Sequence, residues 1–179
     1  MISLVEKALR IATKAHEGQV RKEGEVLYIV HPVMCALMLT QYGFTDEVVA
    51  TALVHDVLED TSVSEADLRR ELGDRVTDAV TKLSENKSLV WEDRKKEYIE
   101  NLRNADDLVN AVSLADKIHN AQSLLHVAET RESNVWSAFN RGKEAKLWFE
   151  NEMLAMFKNT WKHQLIEEYE LLIRKLEKI

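Results

Sequence analysis

The stretch Ala52-Leu53-Val54-His55-Asp56-Val57-Leu58-Glu59-Asp60 places two ionisable groups inside an apolar run and closes it with two acids. On a helix, Asp56 shares a face with Ala52 and neighbours Leu53 and Val57, the face that should enter a core. A buried carboxylate without a partner is costly, so such a group finds a charge or a metal. The same conflict recurs at Asp116, set between Leu114, Ala115 and Ile118. His31, at the head of another apolar segment, His31-Pro32-Val33-Met34-Cys35-Ala36-Leu37, completes the pattern. Two histidines and two aspartates offer mixed nitrogen and hard oxygen ligation, which suits Mn²⁺, Fe²⁺ or Zn²⁺ better than Ca²⁺ or a thiolate zinc site. Such an ion acidifies bound water and polarises a phosphoryl oxygen.

Glu59 and Asp60 lie four residues beyond His55 and Asp56, so helical spacing can set them over the ligands. Acids at a helix C-terminus oppose its dipole, which makes plain capping a poor explanation for them. A carboxylate there can orient or deprotonate an attacking water, or protonate a leaving oxygen.

Outward from this centre the chain reads as helices. It has 179 residues, one proline and five glycines, too few breakers for many strands and turns. Ser3 and Glu6 form a capping-box signature ahead of a helix that runs to about His16. Residues 18–30 break the pattern and suggest an extended loop or short hairpin. His31-Pro32 opens the next helix, which ends near Tyr42-Gly43, and Thr45 is a candidate N-cap for the stripe Val48 to Val57. Further helices are predicted at Ser64–Leu72, Asp74–Leu83, about Trp91–Arg103, Asp106 to about His126, Ser133–Phe157 with an interruption at Gly142, and Trp161–Lys178. Ser84–Leu89 reads as a polar loop. Trp136, Phe139 and Trp148 read as core aromatics. With no repeat, low-complexity tract or linker, the expectation is one all-α domain over residues 1–179.

Composition narrows the function. A net charge of −7 lacks the basic footprint of a nucleic-acid binder. It leaves room for a small phosphorylated substrate, because an ion and a few basic groups can reverse the field within a cleft. No apolar run reaches the ~18 residues of a membrane span. The start, MISLVEKALR, lacks a basic segment followed by an apolar one. Cytoplasm is the expected compartment. The single cysteine, Cys35, reads as a buried, inert thiol.

Several strings, taken together, resemble the hydrolase domain of the Rel/Spo alarmone enzymes within the HD superfamily. They are Ala15-His16-Glu17-Gly18-Gln19, Arg21-Lys22, Tyr28-Ile29-Val30-His31-Pro32, Ala52 through Thr61, Leu72-Gly73-Asp74-Arg75-Val76, and Leu114-Ala115-Asp116-Lys117-Ile118-His119-Asn120. Leu27 and Val30 depart from it, standing where a proline and a polar residue are usual. The resemblance implies an HD-domain helical fold and a small stand-alone alarmone hydrolase. It implies that His31, His55, Asp56 and Asp116 hold Mn²⁺, and that Glu59 and Asp60 are the catalytic acidic pair. Arg21 and Lys22 would meet substrate phosphates, and Tyr28 and Asn120 would shape the nucleotide pocket. His16 and His119 read as supporting groups. The implied reaction removes the 3′-pyrophosphate of ppGpp to give GDP and pyrophosphate; the alternatives are the same chemistry on another nucleotide, such as an adenosine alarmone or a nucleoside monophosphate, and a non-catalytic nucleotide sensor on the same scaffold. The expected partner is a small nucleotide, with neither nucleic acid nor membrane, and self-association into a homo-oligomer is left open.

Overall fold

Ser3 caps the first helix, its hydroxyl accepting from the Glu6 N–H at 3.1 Å in the computed structural model. The structure describes residues 2–21, 26–130 and 135–179. These form ten α-helices and one 3₁₀ turn, with a single antiparallel bridge, Val20 to Leu27, as the only strand-like pairing among them. The chain divides into two compact units, residues 1–116 and 117–179.

In the first unit, α1 (Leu4–Ala15) and α2 (Val30–Gln41) both pack on α3 (Asp46–Val54). Val48 through Val54 are all buried, so α3 is covered on every side along this length and forms the centre of the unit. Ala8 and Ala12 of α1 are fully buried, and their small side chains permit close helix approach. α4 (Val57–Asp60) follows α3 after a two-residue turn. α5 (Glu65–Leu72) and α6 (Asp74–Leu83) meet at Gly73, whose φ of 85° lies in the region that favours glycine. α7 (Trp91–Arg103) packs on α6. α8 (Asp107–Thr130) carries Asp116.

Helix ends follow their local chemistry. α2 stops where expected, at Gly43, with a φ of 76° and its N–H on the Thr40 carbonyl at 3.0 Å. Of the extended loop or short hairpin expected before α2, the described residues show the paired form: Arg21 N–H donates to Val26 O at 2.8 Å, and Tyr28 N–H to Gln19 O at 2.9 Å. Thr45 sits at the N-cap of α3, but its side chain makes no capping bond. The stripe from Val48 to Val57 is not one continuous helix. His55 Nδ1 donates to the Ala52 carbonyl at 2.7 Å, the acceptor that a continuing helix would use for Asp56 N–H.

In the second unit, α9 (Gly142–Thr160) packs on α10 (Leu165–Leu176) and on the 3₁₀ turn Val135–Ala138. The helix predicted over 133–157 is therefore two elements, and the expected interruption at Gly142 is the start of α9. The last helix begins at Leu165 rather than Trp161: Trp161 is extended and stacks on His163 at 4.9 Å, and His163 Nδ1 accepts from Leu165 N–H at 3.2 Å. Trp148 is exposed rather than core, whereas Trp136 and Phe139 are half-buried against one another at 6.0 Å. No described helix is long and apolar enough to cross a membrane.

Candidate metal centre and acidic pair

The break between α3 and α4 delivers His55 and Asp56 to the first turn of α2 and to Asp116. His31 Nε2 lies 3.0 Å from Asp116 Oδ1 and 3.7 Å from Asp56 Oδ2. His55 Nε2 lies 3.2 Å from Asp56 Oδ2 and 3.8 Å from Asp116 Oδ1. The two imidazoles meet edge-on, with ring centroids 5.1 Å apart. One donor atom each from His31, His55 and Asp116 falls within a 4.8 Å span. The rings are buried, while the Asp56 and Asp116 side chains keep 20% and 14% exposure, so approach is from the carboxylate side.

The electrostatics of this group call for a cation. Because His55 Nδ1 carries its proton to a carbonyl, the neutral ring turns the Nε2 lone pair toward two carboxylates. That buried nitrogen has no hydrogen-bond partner. Without an ion, the ring can answer only by charging. Burial opposes this, but Asp56 and Asp116 outweigh it and hold the His55 pKa well above the ordinary imidazole value. Burial wins at His31 and lowers its pKa despite Asp116. Burial also disfavours ionised Asp56, yet the charge of His55 holds its carboxyl well below the usual range. Two nitrogen and two oxygen donors converging around an orphaned lone pair fit a divalent transition ion.

Supporting contacts surround the cluster. Tyr28 donates its hydroxyl to Asp56 Oδ2 at 2.5 Å. Burial and then Asp56 push the phenol pKa far above its ordinary value, so Tyr28 stays a donor. Its ring stacks on buried His16 at 4.6 Å, and the Arg21 guanidinium sits 5.7 Å from the ring centroid. His16 Nδ1 meets Gln19 Oε1 at 2.8 Å. Cys35 is fully buried, its sulfur 3.9 Å from His31 Nδ1. Lys22 lies outside the described residues. Asn120 lies one helical turn beyond Asp116 along α8 and belongs to the second unit.

Glu59 and Asp60 end α4 and are engaged by the α6–α7 loop. Glu85 N–H donates to Glu59 Oε2 at 3.2 Å, and Lys87 Nζ to Asp60 Oδ1 at 2.8 Å. Burial raises the Glu59 pKa, only partly offset by the Glu85 N–H and Lys87. The sequence reading missed Glu85, Lys87 and Gln19. Their one signal was the pair of acids closing an apolar run, which needs hydrogen-bond donors from elsewhere.

The HD domain family profile matches residues 8–140. The chain belongs to the HD domain family. This HD domain is 34% identical over 143 residues to a GTP pyrophosphokinase of Myxococcus xanthus, covering 75% of this chain and 19% of that one. It is 39% identical over 120 residues to a guanosine-3′,5′-bis(diphosphate) 3′-pyrophosphohydrolase of Haemophilus influenzae, covering 64% of this chain and 18% of that one. The chain therefore spans about a fifth of the length of these curated relatives. A crystal structure of a Listeria monocytogenes EGD-e protein superposes with a TM-score of 0.75 at 33% identity, covering 86% of this chain and 98% of that one. A metazoan ortholog of SpoT that hydrolyzes ppGpp superposes with a TM-score of 0.82 at 24% identity, covering 97% and 95%, a likeness of fold. The HD domain described here is a small homologue of the SpoT/Rel hydrolase domain.

Proposed function

We propose that this HD domain is a Mn²⁺-dependent phosphohydrolase that cleaves the 3′-pyrophosphate from ppGpp, yielding GDP and pyrophosphate. The observation that carries the reading is the convergence of His31, His55, Asp56 and Asp116 around a buried, unpartnered imidazole nitrogen. Support for the substrate comes from relatives named for guanosine-3′,5′-bis(diphosphate) 3′-pyrophosphohydrolysis and from the ppGpp-hydrolysing activity of the metazoan ortholog with this fold.

His31, His55, Asp56 and Asp116 would hold the ion. When bound, it supplies positive charge for the phosphoryl oxygens and lowers the pKa of water. In the net reaction, a water oxygen bonds to the phosphorus attached to the 3′ oxygen, the P–O3′ bond breaks, and the 3′ oxygen leaves with a proton. Glu59 is suited to the proton: its raised pKa brings a carboxyl closer to the pH at which it both accepts and returns one. Asp60 adds negative charge beside it. Tyr28 keeps Asp56 oriented through its hydroxyl, and Arg21, beside that ring, would meet a phosphate together with Lys22, next to it in sequence. Asn120 is assigned to the nucleotide by family pattern.

The test is a substrate panel with Mn²⁺: ppGpp, ppApp, and nucleoside mono- and triphosphates, with products separated by chromatography. GDP and pyrophosphate from ppGpp, lost on chelation, are expected. Turnover of another nucleotide alone would move the substrate assignment, and no turnover with bound metal would leave a nucleotide sensor.

A further inference from the structure

α4 has four residues, and the last two are Glu59 and Asp60. In a helix of one turn these two residues have no following turn to occupy their carbonyls, so the main chain there needs donors from elsewhere. Two side chains from outside the helix answer this. Lys87, in the loop between α6 and α7, donates from Nζ to the Glu59 carbonyl at 2.9 Å and to Asp60 Oδ1 at 2.8 Å. The same ammonium lies 3.4 Å from Glu59 Oε1. From the opposite direction in sequence, Gln19 donates from Nε2 to the Asp60 carbonyl at 3.1 Å.

The loop that carries Lys87 is itself anchored. The Glu85 backbone N–H holds Glu59 Oε2 at 3.2 Å. The Glu85 carboxylate pairs with Arg94 of α7 at 2.9 Å and with Lys95. Both carbonyls and both carboxylates of the acidic pair are therefore held by groups fixed elsewhere in the first unit. The hydrogen bond to Asp60 raises the Lys87 pKa, which keeps it charged.

We propose that Lys87 is a positioning residue of the hydrolytic reaction, fixing the Glu59–Asp60 turn from the α6–α7 loop, with Gln19 as the second point of the clamp. This rests on Glu59 and Asp60 being the acid–base pair proposed above. A lysine near a phosphate site could instead bind substrate directly. The bond to a main-chain carbonyl separates the two roles: it fixes the orientation of the turn and offers nothing to a phosphate.

The test uses the full chain loaded with Mn²⁺, with ppGpp as substrate, and compares Lys87→Met, Lys87→Arg and Asp60→Asn in wild-type and Lys87→Met backgrounds. Loss of the clamp lets the acids drift from their working geometry, so Lys87→Met should lower kcat by roughly ten- to a hundredfold with KM within about twofold. Lys87→Arg should restore much of kcat. Asp60→Asn should cost less in the Lys87→Met background than alone, because the two share one interaction. Amide hydrogen exchange over residues 57–61, measured without substrate, should speed up in Lys87→Met. A raised KM with unchanged kcat would assign Lys87 to substrate binding and overturn the proposal, as would additive mutations. If wild type does not hydrolyse ppGpp, the functional reading fails alone: faster exchange in Lys87→Met would still support the clamp, and unchanged exchange would reject it.

Discussion

Asp56 faces both histidine nitrogens and accepts the Tyr28 hydroxyl. Asp56→Ala should therefore abolish both metal retention, read by elemental analysis of the purified protein, and metal-dependent turnover; unchanged values would remove Asp56 from the site. Tyr28→Phe removes a single hydrogen bond to a charged acceptor, a loss of about 1.5–3 kcal/mol, or roughly ten- to a hundredfold in kcat/KM. Glu59 carries a pH signature. Its carboxyl pKa is raised above the unfolded value, chiefly by burial, so folding binds its proton more tightly. Its contribution to stability is full below the ordinary glutamate pKa and is lost as pH rises through the higher folded value. Glu59→Gln keeps the neutral form at every pH, so its melting temperature should exceed that of wild type at about pH 7 by more than at about pH 4, while turnover falls. An equal difference at both pH values would contradict the raised pKa.

At the scale of elements, α3 is the part whose packing admits least change. Ala12 of α1 is fully buried, and α1 packs on α3. Ala12→Leu should cost about 1–3 kcal/mol by overpacking, seen as a lower midpoint in urea unfolding. Most elements were legible because their signals are local. Ser64 and Asp67 start α5, Gly73 divides α5 from α6, and Gly43 ends α2. The metal-ligand candidates were legible as polar interruptions of apolar stripes. The break at His55 was not, because a histidine that takes a backbone carbonyl looks, in sequence, like one more helical residue. Lys87 and Gln19 were hidden for a different reason: their contacts to Glu59 and Asp60 span 28 and 41 residues, beyond any local periodicity. In the second unit, Trp161 reads as a helix start, yet stacking on His163 delays α10 to Leu165.

At the scale of the molecule, a chain with a net charge of −7 gathers two buried imidazoles and two partly exposed carboxylates at donor sites that suit a divalent cation. Ion binding to the folded state alone should stabilise it by mass action, by about 2.7 kcal/mol at a hundredfold excess over Kd. A thermal scan with and without Mn²⁺ should show that gain in wild type, its reversal by chelator and its absence in Asp56→Ala. Anomalous X-ray scattering from crystals of the Mn²⁺-loaded protein is the most direct check. A single strong peak at coordination distance from His31, His55, Asp56 and Asp116 is expected. A peak elsewhere, or none with the metal present at saturating concentration, would contradict a shared metal centre.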